Sequence, residues 1–502
     1  MSVACAQHPT CPGCSLFDLG YAQQLERKRE RLAWAFAHFE HLPQVPAVLP
    51  AEHELAYRHR VKLPIHVGPK RVSIGLYDEA HRVLDTPDCP VLVEPLRAAL
   101  IPLRKWLAGR QGIHSVDLRL SALTGELQLI LACQGADLHG GARAARELAR
   151  SVPNLKTVAV SRADPTGRRV MGSAPKVILG PASLDEGIGD TRYRLLPGAF
   201  FQVDPRQAVK LHGVVRDFVG DARTVLDLYA GVGAYALALA KGRDRVVAIE
   251  EVRQAAEAAR QVAPPNVTVV TSKVEDADLG GPFDVAILNP ARRGADPHTL
   301  ERLGQLAERV VYVSCGPETL ARDLDILATY GLRVSRVQPI DLFPQTPEVE
   351  TVVLLERGPR LDRWPLDGGF GRSPWRGDPS GVEGQAEQVV ALVLGDVGPK
   401  GSVKGGRFER LGLVAGHSLI RMQLTGRLGD ALRSLAARRH AVVGWDRATA
   451  PFFAHKAGLV RPFVHVERAG RARAPLHGDL VLALRALRAD VSTLRAVGVY
   501  DR

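Results

Sequence analysis

The 502-residue chain contains no run of about 18 uninterrupted apolar residues, so no membrane-spanning helix is expected. Its opening residues, Met1-Ser-Val-Ala-Cys-Ala-Gln-His-Pro, lack the basic segment and apolar stretch of a signal peptide. The expectation is a cytoplasmic protein with no membrane association. No short-period repeat occurs, which argues against a solenoid. Cysteine is scarce, at six residues: Cys5, Cys11, Cys14, Cys89, Cys133 and Cys315. Three of them crowd into the first fourteen positions. In a reducing compartment such clustering suggests metal ligation before disulfides. Cys133 closes the apolar run Leu127–Ala132 and reads as core.

Hydrophobic residues make up 46% of the chain, which predicts a globular protein. The length is too great for one core and implies about three folded units. The formal net charge is +12 and is unevenly spread. Residues 361–502 carry 22 Lys and Arg against 13 Asp and Glu. Such a surface attracts polyanions, nucleic acid first, although an arginine-rich solvated surface would have the same charge.

Tyr21 to Phe39 has the spacing of a basic amphipathic helix, with Leu25, Leu32, Phe36 and Phe39 near one face. Short β-type runs follow, Val61–Val67 and Val72–Leu76. Val116–Leu120 and Leu127–Ala132 read as a hairpin around Leu123-Thr-Gly125. From about residue 190, apolar strands alternate with helical stretches: Val225–Tyr229, Val246–Glu250, Val267–Val270, Val285–Leu288 and Val310–Val313. That alternation predicts an α/β domain with a parallel sheet covered on both faces. Leu332–Val337 and Thr351–Leu355 would add an antiparallel hairpin at its end. The stretch 357–386 has the Gly, Pro, Arg and Asp content of a linker.

Leu226-Asp-Leu-Tyr-Ala-Gly-Val-Gly-Ala lies where the first of these strands should end and a helix begin. Gly231 and Gly233 let the backbone turn sharply beside a ligand, and Glu250 ends the next strand, where a carboxylate can accept from ribose hydroxyls. This pattern suits NAD and S-adenosylmethionine equally.

Cys315 follows another strand, in Val311-Tyr-Val-Ser-Cys-Gly-Pro-Glu-Thr-Leu-Ala-Arg-Asp. Functional groups of open α/β sheets gather at that edge, and Gly-Pro predicts a turn that exposes the thiol. A thiolate suits pyrimidine chemistry. Added to C6 of uracil, it gives C5 carbanion character, so that C5 can attack an electrophilic methyl. A base must then remove the C5 proton. Glu350, in Asp341-Leu-Phe-Pro-Gln-Thr-Pro-Glu-Val-Glu, is the candidate base.

These segments resemble the bacterial uracil-5 RNA methyltransferases over roughly residues 1–357. The resemblance is dense in Phe200-Phe-Gln-Val-Asp, Asp227-Leu-Tyr-Ala-Gly-Val-Gly, Asn289-Pro-Ala-Arg-Arg-Gly, Ser314-Cys-Gly-Pro-Glu-Thr-Leu-Ala-Arg-Asp and Asp341-Leu-Phe-Pro-Gln-Thr. It implies a Rossmann-like domain at 190–357 that takes S-adenosylmethionine. Gln202, Tyr229, Glu250 and Asn289 then fall at cofactor positions, Cys315 at the nucleophile and Glu350 at the base. The chain departs from the family where Asn289-Pro-Ala replaces the usual Asp-Pro-Pro. Ala234 replaces Asn, Glu348 replaces His two residues before the base, and Asp204 replaces Asn.

Spacing alone leaves zinc and an iron–sulfur cluster open for Cys5, Cys11, Cys14 and Cys89. The resemblance implies 4Fe–4S, in an α+β RNA-binding region at 1–189. It also resembles the subgroup without a separate N-terminal β-barrel module, whose members act on large-subunit ribosomal RNA, so a monomer working on 23S ribosomal RNA is expected. After the linker at 358–385, residues 386–502 weakly resemble the C-terminal half of large pseudouridine synthases, in Leu419-Ile-Arg-Met-Gln-Leu-Thr-Gly-Arg427, His440-Ala-Val-Val-Gly-Trp and Gly458–His465. No catalytic His-Arg-Leu-Asp type motif precedes them. Asp430 and Asp446 read as surface or turn carboxylates, and the region as a small non-catalytic α/β or α+β domain kept for RNA binding. The competing reading of the whole chain is a non-catalytic RNA-binding or ribosome-assembly protein on a decayed methyltransferase fold.

Overall fold

The computed structural model describes residues 5–37, 41–135, 137–164, 171–358 and 388–426, with shorter pieces between 428 and 496. The β-branched runs of the first 180 residues pair into one sheet. Helix α1 (Tyr21–Phe36) precedes β1 (Arg60–Val67), β2 (Val72–Tyr77), β3 (Val83–Asp85), α2 (Glu94–Leu107), β4 (Ile113–Leu120), β5 (Leu127–Cys133), α3 (Gly141–Ser151), β6 (Leu155–Arg162) and β7 (Lys176–Leu179). The strand order is β3-β2-β1-β4-β5-β6-β7. The one parallel pair, β5 with β6, is the pair that α3 connects, as a crossover requires. Apolar side chains of this sheet close over α2 and α3, and Cys133 lies buried among them.

Two strands, β8 (Leu184–Ile188) and β9 (Thr191–Leu195), form a hairpin whose Leu184, Ile188, Tyr193 and Leu195 belong to the next core. The boundary expected at 189/190 thus falls in the turn of a hairpin that packs with the second sheet.

That second sheet is built from α4 (Pro205–Val219), β10 (Thr224–Leu228), α5 (Ala234–Leu239), β11 (Arg245–Glu250), α6 (Arg253–Arg260), β12 (Val267–Thr271), β13 (Phe283–Leu288), α7 (Pro297–Leu306), β14 (Ala307–Ser314), α8 (Pro317–Thr329), β15 (Leu332–Ile340) and β16 (Glu350–Arg357). Its order is β12-β11-β10-β13-β14-β16-β15. The strands β10 to β14 pair in parallel, and β16 lies antiparallel between β14 and β15. The hairpin expected from 332 onward forms, with its second strand inserted beside β14. The α/β expectation holds, and the order reverses direction between β10 and β13, where such sheets open a crevice for ligands.

Helix α1 covers one face of this second sheet through Leu32, Ala35 and Phe36, far from it in sequence. Its buried stripe also carries Gln24 and Lys28, whereas Leu25 is only half-buried. The apolar-face reading of this helix is corrected there: the burial is paired with polar partners. The Lys28 ammonium donates to Asp341 at 2.5 Å and to the Phe343 carbonyl at 3.0 Å. Asp341 also accepts from the Tyr21 hydroxyl and the Phe343 amide. Gln24 and Gln345 exchange two hydrogen bonds of 2.9 Å. Phe39 lies outside the described residues.

The C-terminal part contains β17 (Gln388–Val393), β18 (Lys400–Val403), β19 (Gly406–Val414), β20 (His417–Leu424), α9 (Leu428–Ala436), β21 (Val464–Ala469) and β22 (Ala472–Arg473). They form an antiparallel sheet, β18-β19-β20-β17-β21-β22, with Ala431, Leu432 and Leu435 of α9 in its core. The α+β alternative fits these strands. The linker from 359 on, Asp446, and residues 443–462 of the C-terminal resemblance lie outside the described residues.

Lys28 and Asp341 are both fully buried. Removing one partner strands the other charge, so Lys28→Met should cost about 3–5 kcal/mol of unfolding free energy. Urea denaturation of the variant against the wild type measures it. A loss near zero would mean that the pair does not hold α1 in place.

Candidate active site

The register of two strands brings the reactive groups together. Ser314 of β14 pairs with Thr351 of β16. Cys315 follows the first and Glu350 precedes the second, so both stand at the same sheet edge. Gln202, Tyr229, Glu250, Asn289, Cys315 and Glu350 all line one cavity of 1210 Å³. Every catalytic and cofactor candidate from the sequence therefore meets at the crevice of the second sheet.

The turn after β10 carries its own strain. Tyr229 adopts φ +60°, a conformation rarely held by a residue with a side chain. Gly233 is also left-handed, and a Cβ there would lie 3.0 Å from Leu237, so glycine is required. Glu250 pins this loop: one carboxylate oxygen accepts from the Gly231 amide and the other from the Val252 amide, both at 2.7 Å. Asp227, fully buried, accepts from the Ala236 amide at 2.8 Å and is pushed up to about 7 by burial.

The loop after β13 is held from α8. Asp323 accepts from the Ala295 amide at 2.8 Å and from the Tyr312 hydroxyl at 2.5 Å. Arg322 donates to the Arg293 carbonyl at 3.0 Å, and Thr319 to that of Arg292 at 3.2 Å. A Cβ at Gly294 would lie 2.5 Å from Arg322, so the loop passes where only glycine fits. The Arg322-Asp323 end of the cysteine motif thus fixes the loop that presents Asn289 and Arg292.

Cys315 is half-buried, and Glu350 is 5% exposed. Burial, then the Glu350 charge, pushes the Cys315 thiol up; Arg292 pulls it down and Glu348 pushes it up again. Burial raises the Glu350 carboxyl to about 7, again opposed by Arg292 and aided by Glu348. Glu350 can accept a proton only as a carboxylate. Its base form is therefore lost as pH falls through about 7, well above the ordinary carboxylate range.

Sequence reasoning did not single out Arg292 as a site residue and named Glu348 only as a departure. The two form an ion pair of 3.3 Å, and Arg31 of α1 reaches the same Glu348 carboxylate at 3.5 Å. Phe200, 67% exposed, also lines the cavity; its place in the motif was visible, its exposure was not. Of the other departures, Asp204 caps α4 by accepting from the Arg206 amide, and Ala234 makes backbone hydrogen bonds alone, its carbonyl accepting from the Tyr193 hydroxyl at 2.8 Å and its amide donating to the Ala230 carbonyl.

A family profile described as tRNA (Uracil-5-)-methyltransferase matches residues 271–358. An uncharacterized RNA methyltransferase of Geobacter sulfurreducens is 31% identical over 390 residues, covering 72% of this chain and 78% of its own. Another, from Oceanobacillus iheyensis, is 31% identical over 376 residues, covering 69% and 82%. The chain belongs to the uracil-5 RNA methyltransferase family. Among solved structures, Pyrococcus abyssi tRNA (uracil-54, C5)-methyltransferase in complex with S-adenosyl-L-homocysteine is similar. It shares 26% identity and a TM-score of 0.58, covering 69% of this chain and 86% of that one. The protein is an S-adenosylmethionine-dependent RNA methyltransferase, as the sequence led us to expect.

The methyltransferase's thiol should report the charges around it. Glu348→Gln removes a carboxylate that holds Cys315 up, so alkylation of Cys315 by iodoacetamide should set in at lower pH. Arg292→Ala should shift the onset to higher pH. Peptide-resolved mass spectrometry from about pH 6 to about pH 10 gives both curves. Coincident curves would show that this ion pair does not set the thiol.

Proposed function

We propose that the enzyme methylates C5 of a uridine in 23S ribosomal RNA, with Cys315 as nucleophile and Glu350 as base. The observation that carries this reading is the meeting of Cys315 and Glu350 at the edge shared by β14 and β16, in the cavity that Gln202, Tyr229, Glu250 and Asn289 also line. The Cys315 thiolate adds to C6, and C5 takes the methyl from the sulfonium, whose S–CH3 bond breaks to leave S-adenosylhomocysteine. Glu350 accepts the C5 proton, the C6–S bond breaks and the C5–C6 double bond returns. A decayed, non-catalytic fold is disfavoured by the same juxtaposition.

Cys5, Cys11, Cys14 and Cys89 would hold a 4Fe–4S cluster. Burial, followed by the neighbouring thiols of Cys89, Cys11 and Cys5, pushes the Cys14 thiol up to about 12. Cys89 is raised by burial and by Cys11 and Cys5. Thiols gathered around Cys14 and Cys89 in this way form a donor set suited to a cation. Among the described residues no three such groups stand in coordination geometry already, so the supporting observation is the mutual proximity of the thiols. The cluster would supply a rigid anchor: the Leu16 amide donates to Gln345 and the Tyr57 hydroxyl to Pro344, in the loop that leads to Glu350. The cysteine set also supports the ribosomal over the transfer-RNA substrate. Residues 1–189 would contact the RNA together with a basic, non-catalytic 386–502 region joined by the 358–385 linker. The enzyme would act as a cytoplasmic monomer; no helix of the described residues is long and apolar enough to cross a membrane.

Cys315→Ala should abolish methyl transfer. Glu350→Gln should instead trap the methylated base, because the C5 proton cannot leave. A protein–RNA adduct should then accumulate on a denaturing gel with ribosomal RNA and much less with transfer RNA. Normal turnover by Glu350→Gln would remove it as the base, and a preference for transfer RNA would reverse the substrate assignment.

Protein purified without air should be brown, absorbing broadly near about 400 nm, and Cys14→Ser should bleach it. Colourless protein with stoichiometric zinc would replace the cluster by zinc.

A further inference from the structure

Two polar side chains in the cavity, His212 and Tyr235, have no part in the chemistry above. His212 lies on α4, and its ring stands 4.9 Å from that of Tyr235. It is 5% exposed, and its Nδ1 is buried without a hydrogen-bond partner among the described residues. Buried polar atoms are nearly always paired, so an unpaired one in a cavity wall calls for a missing partner. Rotation of the ring about its Cβ–Cγ bond exchanges the edges that face the cavity, with no backbone movement.

The position of this group along the cavity identifies the partner. Helix α4 packs against α5 and β16, which carry Ala234 and Glu350, and against β14, which Cys315 follows. Tyr235, beside His212, feels the Glu350 charge more strongly than that of Asp227. His212 therefore stands on the side of the cavity to which β16 brings Glu350. A cofactor whose ribose lies by Glu250 must bring its sulfonium to the Cys315 end to deliver the methyl. The amino-acid tail branches from that sulfur and would reach the α4–α5 wall, where His212 and Tyr235 line the cavity. Ala234 brings no polar side chain there.

We infer that His212 binds the α-amino-acid tail of S-adenosylmethionine, its neutral imidazole accepting a hydrogen bond from the α-ammonium group. Burial, with Arg216 acting in the same direction, pushes this imidazole down to about 3, so it stays neutral at physiological pH. A neutral acceptor satisfies the ammonium without placing a second cation beside the sulfonium. The inference rests on the cavity being the cofactor site.

Calorimetric titration of the full-length protein with two probes tests it: S-adenosylhomocysteine, and 5′-methylthioadenosine, which lacks the amino-acid tail. His212→Phe should weaken the first about tenfold and leave the second unchanged, a loss typical of one buried hydrogen bond. His212→Gln, which returns an acceptor, should recover part of the loss. If His212→Phe leaves both affinities unchanged and raises the melting temperature, the ring is only packing and the inference falls. Equal weakening of both probes would mean a distorted site and would also overturn it. Glu250→Ala separates the two readings. Loss of both probes in that variant with normal His212→Phe binding rejects His212 alone. Normal binding in both variants rejects the cavity as the cofactor site, and the inference with it.

Discussion

The buried pair between Lys28 and Asp341 is the constraint on which the active site depends. It joins a helix near the start of the chain to the loop that ends β15. That loop must turn and re-enter the sheet as β16, and Glu350 is the first residue of β16. A charge in the interior is costly alone, and burial accordingly lowers the Lys28 ammonium. Here each partner's remaining capacity is met: the lysine by the Phe343 carbonyl, the aspartate by Tyr21 and the Phe343 amide. The directional bonds fix where the loop lies, which apolar packing alone would leave adjustable. The Gln24–Gln345 exchange adds a second such fixture one helical turn away.

The same logic recurs on the other side of the cavity. Asp323, in the helix after Cys315, bonds the loop after β13 and the Tyr312 hydroxyl on β14. The chain therefore positions Cys315, the Asn289–Arg292 loop and Glu350 by polar contacts between motifs distant in sequence. Sheet register supplies the last alignment, since β14 and β16 are neighbours only because β16 is inserted between β14 and β15. Moving β16 to the outside edge would have left Glu350 one strand further from Cys315.

Much of this was legible in the sequence. The alternation of apolar runs gave β10 to β14, because strands buried on both faces read as near-continuous hydrophobic stretches. The Gly-x-Gly turn and the Ser-Cys-Gly-Pro turn announced their backbone geometry through residue type. The face of α1 was read less well. Periodicity scores apolar residues, and it cannot know that Lys28 and Gln24 point inward to Asp341 and Gln345 some 300 residues later. The hairpin of β8 and β9 was missed for a related reason: Leu184-Asp-Glu-Gly-Ile and Thr191-Arg-Tyr-Arg-Leu alternate too briefly to reveal which core they join. His212 gave no signal at all, since a lone histidine on a helix reads as surface or core until its cavity is known.

The family departures look unrelated along the chain, yet they meet in space as a redistribution of charge. Asn289 lines the cavity with an amide, while Glu348 brings a carboxylate against Arg292, which lines the same cavity. The new carboxylate does not stand alone there. Arg292 and Arg31 both reach it, and Arg31 is held in turn by Glu318 of α8. Arg292 is 72% exposed and Glu348 26%, so this pair works through a partly screened field. Its two members act on Cys315 in opposite senses. Any anion that draws Arg292 away from the mouth would leave Glu348 the stronger influence and hold the thiol protonated. A phosphate settling between Arg292 and the cavity would instead keep the guanidinium near Cys315. The position of an incoming RNA phosphate would thereby bear on the Cys315 thiol, and α1, through Arg31, links that setting back to the buried lysine one turn before it.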